Sequence, residues 1–366
     1  MKKINIILTG AGGAGGPGII KSLKRASPNF FIIGLDNNQN SIAPAIVDKF
    51  YQVPLGNDKK YVPKLLEIVK KEKVKVILPL NTRELLNLAS HIDDFEKVGV
   101  RVNISPLESL KIANNKYLLN ELCKKIGVPY PKTILVKSFS AFKKAVLKSG
   151  HPKNPVCIKS PVSNGQRGFR IIDDSKDQLD LFLNQKPTQI VVSFKQIKEI
   201  LKKAKPFPEL MVTEYLPGEE YTVDILAQKG KALVIIPRLR EEIKMGVSFR
   251  AKTVRNPRII QYSALIVKAL KLHGIVGLQF KKDKKGIPKT LEANPRLQGT
   301  NIISVASGVN LPYLAVKMLL GEKFKIPKVK WGVKMIRYWN EIFLCPVGNK
   351  MVFRMLKNKR EKIDYF

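Results

Sequence analysis

Cysteine is scarce in this chain, and its scarcity excludes two classes of protein. Three cysteines occur among 366 residues. Their number is odd and they lie far apart, without metal-ligand spacing, so neither a disulfide framework nor a zinc site is predicted. Separate thiols fit a reducing compartment, and we expect a cytoplasmic protein. The three positions are Cys123, Cys157 and Cys345.

Histidine is equally rare, and long apolar runs are missing. The three histidines are isolated, and no Ser-His-Asp or Cys-His constellation for nucleophilic catalysis is present. No apolar run is long enough to span a bilayer. Residues 1–10 place lysines before a few apolar residues that run into glycines, which predicts a first β-strand and not a signal peptide.

Acidic residues are few: 29 Asp and Glu stand against 66 Lys and Arg, for a formal net charge of +37. Nucleic acid or an anionic membrane would suit such a charge. The lysines, however, are scattered over the polar faces of predicted helices, without a basic stripe of interleaved aromatics. A lysine-biased proteome explains this scatter, so we do not expect a nucleic-acid partner. The length and the 44% hydrophobic residues predict a globular protein of two or three domains.

The first 24 residues predict a strand, a glycine-rich turn and a helix. Gly10, Gly12 and Gly15 satisfy the dinucleotide-binding fingerprint, and Asp36 closes the next predicted strand, where an acid would bind a ribose. An NAD-dependent oxidoreductase is therefore one hypothesis. Any doubly wound nucleotide- or substrate-binding domain also needs such a turn, so the fingerprint alone does not decide.

Short β-rich runs and helices alternate over the first hundred residues. This alternation predicts a parallel sheet covered on both faces, and hence the α/β class. Asn81, Arg83 and Glu84 follow a predicted strand, at the edge where such sheets bind ligands. Capping of the next helix is an equally good explanation for them.

A long amphipathic pattern then predicts one helix from Glu108 to Ile126, with Lys116 away from most of its apolar stripe. Farther on, a hairpin is predicted. Lys159 lies near the end of its first strand, a glycine-containing loop follows, and residues 170–172 return. The backbone amides of such a loop and a strand lysine can surround a polyphosphate, although the loop is not a Walker A motif.

The stretch Thr290–Gln298 carries polar side chains at alternate positions. In an extended backbone Glu292, Asn294 and Arg296 would share one face. A predicted hairpin places Gln279 across from them. Carboxylate and amide oxygens suit Mg²⁺, and a guanidinium suits phosphate or carboxylate. A polar strand end without function is the alternative.

The order and spacing of these pieces resemble the ATP-grasp superfamily, in particular the synthetase halves of the carbamoyl-phosphate synthetase large subunit and carboxylate–amine ligases. The resemblance covers nearly the whole chain. It implies a Rossmann-like, parallel-sheet domain at 1–108 and an α+β ATP-grasp domain at 109–330, with a mobile lid at about 132–213. A C-terminal extension at 331–366 follows, which would add strands to the ATP-grasp domain or contact a second subunit.

The resemblance also implies roles for the motif residues. The lysines would reach the ATP phosphates, the lid loop would close over them, and the hinge and its acid would hold adenine and ribose. The implied ATP contacts are Lys116, Lys159, Ser163, Asn164, Gly165, Gly168, Glu214, Tyr215, Leu216 and Glu220. The implied metal ligands are Gln279, Glu292 and Asn294, and the implied catalytic residues are Arg296 and Lys159. Expected substrate contacts are Gly12, Gly13, Glu84, Arg250 and Arg255.

The implied activity is an ADP-forming ligase that uses ATP and Mg²⁺, with Mn²⁺ as a substitute, to join a small-molecule carboxylate to an amine. Carboxyphosphate or carbamate chemistry is the alternative within the fold, and a homodimer is expected. Three residues depart from the family pattern. Gln279 stands where many relatives have an acid, so one fewer negative charge faces the metal. Gln166 and Arg167 lie in the lid loop, where small residues are usual.

Overall fold

The structure is a computed structural model that describes residues 3–163, 165, 167–184, 190–244, 246–347 and 350–354. It contains three main sheets. Within the described residues, no helix has the length and apolar character needed to cross a bilayer.

The first sheet is parallel, as the alternation of strands and helices predicts. Its strand order is β3-β2-β1-β4-β5, and the three central strands are short apolar runs with most residues buried. The strands are β1 Ile4–Thr9, β2 Phe30–Asp36, β3 Lys49–Gln52, β4 Val76–Leu78 and β5 Arg101–Val102. The helices are α1 Gly16–Ala26, α2 Ala43–Ile46, α3 Tyr61–Lys71, α4 Leu85–Ser90 and α5 Ile92–Lys97, with a 3-10 turn at Thr82–Glu84.

The single helix predicted from Glu108 to Ile126 is wrong. The structure has two helices, α6 Leu107–Ala113 and α7 Lys116–Lys125. Asn115 separates them because its backbone is extended and its side chain accepts hydrogen bonds from the amides of Tyr117 and Leu118. This N-cap satisfies donors that would otherwise lack partners at the start of α7. Lys116 is therefore the first residue of a helix.

The second sheet has the order β6-β10-β7-β8-β9 and covers residues 133–214. The predicted hairpin is present: β7 and β8 are antiparallel, with Ile158 opposite Arg170. Phe142 is buried in the core beneath this sheet. The strands are β6 Thr133–Val136, β7 Val156–Lys159, β8 Arg170–Ile172, β9 Val191–Val192 and β10 Leu210–Glu214. The helices are α8 Phe139–Lys148, α9 Gln178–Asn184 and α10 Phe194–Lys202.

The third sheet is antiparallel, with the order β15-β14-β11-β12-β13-β16. The C-terminal stretch contributes its edge strand β16, while β17 and β18 form a separate hairpin. The strands are β11 Glu220–Gln228, β12 Lys231–Lys244, β13 Val247–Thr253, β14 Gly274–Lys282, β15 Pro288–Asn294, β16 Lys334–Ile336, β17 Phe343–Val347 and β18 Lys350–Arg354. The helices are α11 Pro257–Ala269, α12 Ile302–Ala306 and α13 Leu311–Leu319.

The parallel and antiparallel sheets share one apolar core, which joins Ile6 and Leu8 of β1 to Leu226 of β11. Hydrogen bonds reinforce this junction: the amide of Ile275 donates to Asn103 Oδ1 over 3.0 Å. The antiparallel sheet is therefore held against the parallel sheet. The domain boundaries at 108 and 330 stay predictions.

Candidate active site

One face of the antiparallel sheet is polar, because four neighbouring strands align their polar residues in register. Gln279 of β14 lies opposite Thr222 on one side and opposite Glu292 on the other. Thr222 in turn lies opposite Arg238 of β12. Directly opposed residues point to the same face of a sheet. The other face is apolar and buries residues such as Leu278 in the core.

A β-bulge sets the position of Glu292. Phe280 pairs with Thr290, but the next pair along the strands is Gln279 with Glu292, so Leu291 is an extra residue in β15. A bulge of this kind re-aims the side chains that follow it. Here it places Glu292 beside Gln279, as the sequence predicts.

Glu292 and Asn294 form the acidic end of the polar face. Asn294 Nδ2 donates to Glu292 Oε1 over 2.9 Å, and Arg296 Nη2 donates to Asn294 Oδ1 over 3.3 Å. No group of three or more His, Cys, Asp or Glu side chains placed to hold a metal occurs in the described part of the chain. The donor set around Glu292 therefore contains one carboxylate and two amides.

Lys116, the first residue of α7, lies close to Glu292 in this donor set. Its backbone amide donates to Pro161 O over 2.9 Å, which ties the start of α7 to the loop after β7. Its Nζ donates to Ser163 O over 2.8 Å and lies 3.7 Å from Glu292 Oε2. A buried cation is thus held between the hairpin loop and the candidate metal ligand.

Lys159, at the end of β7, is 9% exposed and opposes Met211 of β10. Burial, and next the positive charge of Lys116, lower the pKa of Lys159 to about 8, while Glu292 acts in the opposite direction. Two cations near each other and partly withdrawn from water favour an anion between them. The hairpin loop beyond Lys159 uses left-handed backbone at Gly165 and Gly168. Asn164 and Gln166 lie outside the described residues.

The predicted hinge lies between the second and third sheets. Glu214 ends β10 and pairs with Lys289 Nζ, and it also accepts a 2.8 Å hydrogen bond from the Lys132 amide. Leu216 is buried, and burial raises the pKa of Tyr215. The Glu214 carboxylate thus binds protein groups.

Glu220 begins β11 on the polar face. It forms an ion pair with Arg240 Nη1, and Lys281 Nζ lies 3.8 Å away. Arg240 also donates to Ser248 Oγ over 3.0 Å and to Gly246 O over 2.7 Å. Burial lowers the pKa of Arg240, and the nearby Glu220 opposes this effect. The acid expected to bind a ribose is therefore anchored to the β12–β13 turn.

Arg296 lies where the polar face meets the parallel sheet. Its Nε donates to Thr82 Oγ1 over 2.7 Å and its Nη1 to Leu297 O over 2.8 Å. Both of these acceptors and Asn294 Oδ1 are uncharged. Burial lowers the pKa of Arg296, although Glu292 and Glu84 favour the charged form. The guanidinium is a partly buried cation with neutral hydrogen-bond partners.

A cavity of about 520 Å³ lies beside Arg296, at the carboxyl edge of the parallel sheet. Gly12, Gly13 and Glu84, which the sequence proposes as substrate contacts, line it. Arg250 and Arg255 are not among its lining residues. Arg250 is exposed and pairs with Glu242 over 2.9 Å, and Arg255 is exposed ahead of α11.

The Glu84 side chain is 2% exposed and already bonded to the protein. It accepts hydrogen bonds from Thr9 Oγ1, the Asn81 amide and the Tyr61 hydroxyl. Together with Asn81 it forms a capping box for the 3-10 turn. Burial raises the pKa of Glu84, and these hydrogen bonds act in the opposite direction. Capping of the 3-10 turn, the alternative to substrate binding, therefore accounts for the contacts of Glu84.

The glycine-rich turn packs against the chain that follows Arg296. A Cβ on Gly15 would approach Gly299 Cα to 2.4 Å, so only glycine allows this contact. Asp36, the acid proposed for a ribose, accepts hydrogen bonds from the amides of Gly12 and Asn38. Packing and turn formation explain these residues without a dinucleotide.

Comparisons with known proteins agree with this geometry. Residues 206–340 match the family described as ATP-grasp in the biosynthetic pathway with Ter operon, and residues 6–103 match the PylC-like N-terminal domain. The chain is 26% identical over 329 residues to the carbamoyl phosphate synthase large chain of Clostridium acetobutylicum. That match covers 86% of this chain but 28% of the relative's length.

Solved structures share the fold. The biotin carboxylase domain dimer of Hydrogenobacter thermophilus 2-oxoglutarate carboxylase, solved with MgADP and bicarbonate, superimposes with a TM-score of 0.66 at 16% identity, covering 91% of this chain and 74% of that one. The L-amino acid ligase of Bacillus licheniformis gives 0.61 at 14% identity, covering 87% and 75%. The chain contains an ATP-grasp domain. The predicted superfamily and fold class are confirmed.

The candidate metal ligands fit the way an ATP-grasp domain would bind Mg²⁺. Mg²⁺ is usually held by one or two carboxylates, waters and substrate phosphates, and not by a dedicated protein cage. Glu292 would supply the carboxylate, Gln279 and Asn294 would supply amide oxygens, and Lys116 and Lys159 carry the positive charge that phosphate oxygens need. Thus the set suits a cation that arrives with a nucleotide.

Sequence reasoning missed the contacts of three residues at the candidate site. Arg240 holds Glu220, Thr82 holds Arg296, and Arg167 of the hairpin loop lines the cavity. A signal existed for Arg240, because Arg238 and Arg240 alternate along β12 in the way of a strand with one polar face. Thr82 and Arg167 lie in turns whose geometry the sequence does not give.

Proposed function

We propose that this protein is an ATP- and Mg²⁺-dependent ligase that activates a carboxylate as an acyl phosphate and transfers it to an amine. One observation carries the proposal. Arg296 touches both Asn294, at the end of the polar face, and Thr82, on the wall of the cavity. A phosphate bound near Lys116 and Lys159 and an acid bound in the cavity would therefore meet at one guanidinium.

The chemistry has two steps. A carboxylate oxygen attacks the γ-phosphorus of ATP, an O–P bond forms, the bond to the β-phosphate oxygen breaks, and ADP leaves. The amine nitrogen then attacks the acyl carbon, a C–N bond forms, the C–O bond to phosphate breaks, and the amine loses one proton to solvent. Activation is needed because a carboxylate oxygen is too poor a leaving group for direct condensation.

Positioning and charge neutralisation are the main tasks of the protein. Lys116 and Lys159 bind phosphate oxygens, and the Ser163–Gly168 loop closes over them. The hinge Glu214–Leu216 offers backbone groups to adenine, and Glu220 binds the ribose. Arg296 neutralises charge that develops during phosphoryl transfer.

Mg²⁺, when bound, would neutralise negative charge on the phosphates. Gln279, Glu292 and Asn294 would hold it. Because Gln279 is uncharged, this site has one fewer negative charge than a site with two acids. We expect a higher Mg²⁺ requirement than in relatives with an acid at that position. Mn²⁺ should substitute, because it accepts the same oxygen donors.

Trapping with hydroxylamine tests the proposal before the amine is known. An acyl phosphate reacts with hydroxylamine to give a hydroxamate, so pools of small acids and amino acids are incubated with Mg-ATP, and ADP and hydroxamate are measured. We expect both products with at least one pool and neither with Glu292→Ala. Glu199→Ala, at an exposed site on α10, is the matched control. ADP without hydroxamate from every pool would contradict acyl-phosphate chemistry.

A second candidate is phosphorylation of bicarbonate or carbamate. The 26% identity to a carbamoyl phosphate synthase large chain favours it, and so does Gln279. It predicts ADP formation that depends on bicarbonate alone. The two candidates are separated by the same assay with bicarbonate as the only acid.

Two further expectations belong to this proposal. The first is a reducing cytoplasm: all three cysteines are free thiols, and burial raises the pKa of Cys123 and of Cys157 to about 11, which keeps both protonated and unreactive. The second is a homodimer, supported by the dimeric biotin carboxylase domain among the structural relatives.

A further inference from the structure

We propose that the carboxylate substrate carries a second anionic group, and that Arg83 binds this group in the cavity beside Arg296. The inference rests on the proposed function, since it names the class of acid that the ligase activates. It commits to a dicarboxylate or a phosphorylated carboxylic acid and excludes a simple monocarboxylate.

Charge within the cavity is the first argument. Its lining includes three arginines and two acids: Arg83, Arg167, Arg296, Asp36 and Glu84. Both acids already accept hydrogen bonds from the protein. Asp36 accepts from two backbone amides, and Glu84 accepts from two hydroxyl groups and one backbone amide. The cavity as a whole therefore favours anions.

The partners of the arginines are the second argument. Arg296 is held by a hydroxyl, a carbonyl and an amide oxygen, so its charge has no bonded counter-ion. Two other exposed arginines do pair with acids, Arg101 with Glu96 over 3.1 Å and Arg250 with Glu242 over 2.9 Å. Among the described residues, none of the ion pairs includes Arg83, although it is exposed and lines the cavity.

Spacing is the third argument. Thr82, which holds Arg296, directly precedes Arg83 in one 3-10 turn. Arg83 is therefore the next residue after the one that binds Arg296, and both arginines line one cavity of about 520 Å³. This volume lies within the usual range for small-molecule sites, and a sphere of that volume is roughly 10 Å across. A short chain with an anion at each end spans such a distance.

Matched pairs of acids test the inference by binding. Each acid is titrated by calorimetry into the protein with Mg²⁺ and a non-hydrolysable ATP analogue. The pairs are glutarate with butyrate, glutamate with glutamine, and 3-phosphoglycerate with glycerate. In at least one pair we expect the doubly anionic member to bind about tenfold to a hundredfold more tightly. The pair that responds distinguishes a second carboxylate from a phosphate.

Variants test the assignment to Arg83. Arg83→Gln should reduce the preference for the doubly anionic acid to within about twofold, because one charge-assisted contact is lost. Arg101→Gln, an exposed arginine at the amino end of β5 and so at the opposite edge of the sheet, should keep the preference. Equal affinities within every pair, absence of binding by every acid, or a preference that survives Arg83→Gln would each overturn the inference.

Hydroxamate assays on the same pairs separate this inference from the proposed function. Hydroxamate from mono-anionic and doubly anionic acids alike would refute the second anion site and leave the ligase intact. Tight, Arg83-dependent binding of a doubly anionic acid without hydroxamate would support the anion site and refute the ligase.

Discussion

Lys159 should destabilise the free protein, because it keeps a charged amine in a buried position that awaits a phosphate. Its pKa is lowered from the ordinary value of 10.5 to about 8, mainly by burial and next by Lys116. At about 1.4 kcal/mol for each pH unit, the charged form costs the fold up to about 3 kcal/mol at neutral pH. Replacement by methionine, of similar length and no charge, should therefore stabilise the nucleotide-free protein.

The sign of the pH dependence follows from the same pKa. Because the folded value lies below the unfolded value, the penalty is complete below about pH 8 and disappears as the pH rises toward 10.5. The free energy of unfolding of Lys159→Met should exceed that of the parent by about 1–3 kcal/mol at pH 7. The difference should shrink steadily between pH 8 and pH 10.

Urea unfolding at pH 7, 8.5 and 10 measures this difference, and titration with Mg²⁺ and a non-hydrolysable ATP analogue measures the loss of binding. We expect the affinity of Lys159→Met for the nucleotide to fall at least about tenfold, since one charge-assisted contact is lost. Lys144→Met, at an exposed site on α8, should change neither quantity. A Lys159→Met variant that is less stable than the parent at pH 7, or that binds the nucleotide equally well, would refute the reasoning.

Three further substitutions test other contacts. Thr82→Val should lower kcat about tenfold with little change in ATP affinity, because Arg296 loses the acceptor that orients it; steady-state kinetics at varied ATP checks this. Asn115→Ala should reduce the free energy of unfolding by about 1 kcal/mol through loss of the α7 N-cap, measured by urea unfolding. Asp224→Asn should cost about 3–5 kcal/mol, because it leaves the buried Arg238 without its counter-ion. An unchanged kcat in the first case, or unchanged unfolding midpoints in the other two, would contradict the roles of Thr82, Asn115 and Asp224.

The hairpin of β14 and β15, with Gln279 near the Glu292 end, could be predicted from its turn, but the direct pairing of Gln279 with Glu292 depends on the bulge at Leu291. The parallel sheet could be predicted because short apolar runs alternate with helical patterns along the first hundred residues. No sequence pattern predicts the bulge at Leu291. Its effect is to keep both Glu292 and Asn294 on the polar face while Thr290 remains in the core.

The break between α6 and α7 shows where local pattern fails. The apolar stripe continues across Asn115, so periodicity alone favours one helix. What ends the first helix is a side-chain cap, together with the long-range bond from the Lys116 amide to Pro161 O. Likewise, Arg167 enters the cavity through loop geometry that depends on the whole fold.

Transfer of oxygen from the carboxylate to phosphate is the most direct test of the acyl-phosphate mechanism. The acid that gives the most hydroxamate is labelled with ¹⁸O in its carboxylate and turned over with Mg-ATP and an amine pool, and the released phosphate is analysed by mass spectrometry. We expect one ¹⁸O atom in each phosphate, because the acyl phosphate keeps the carboxylate oxygen when its C–O bond breaks. Unlabelled phosphate would show that water, and not the carboxylate, attacks ATP, and would contradict the proposed ligase mechanism.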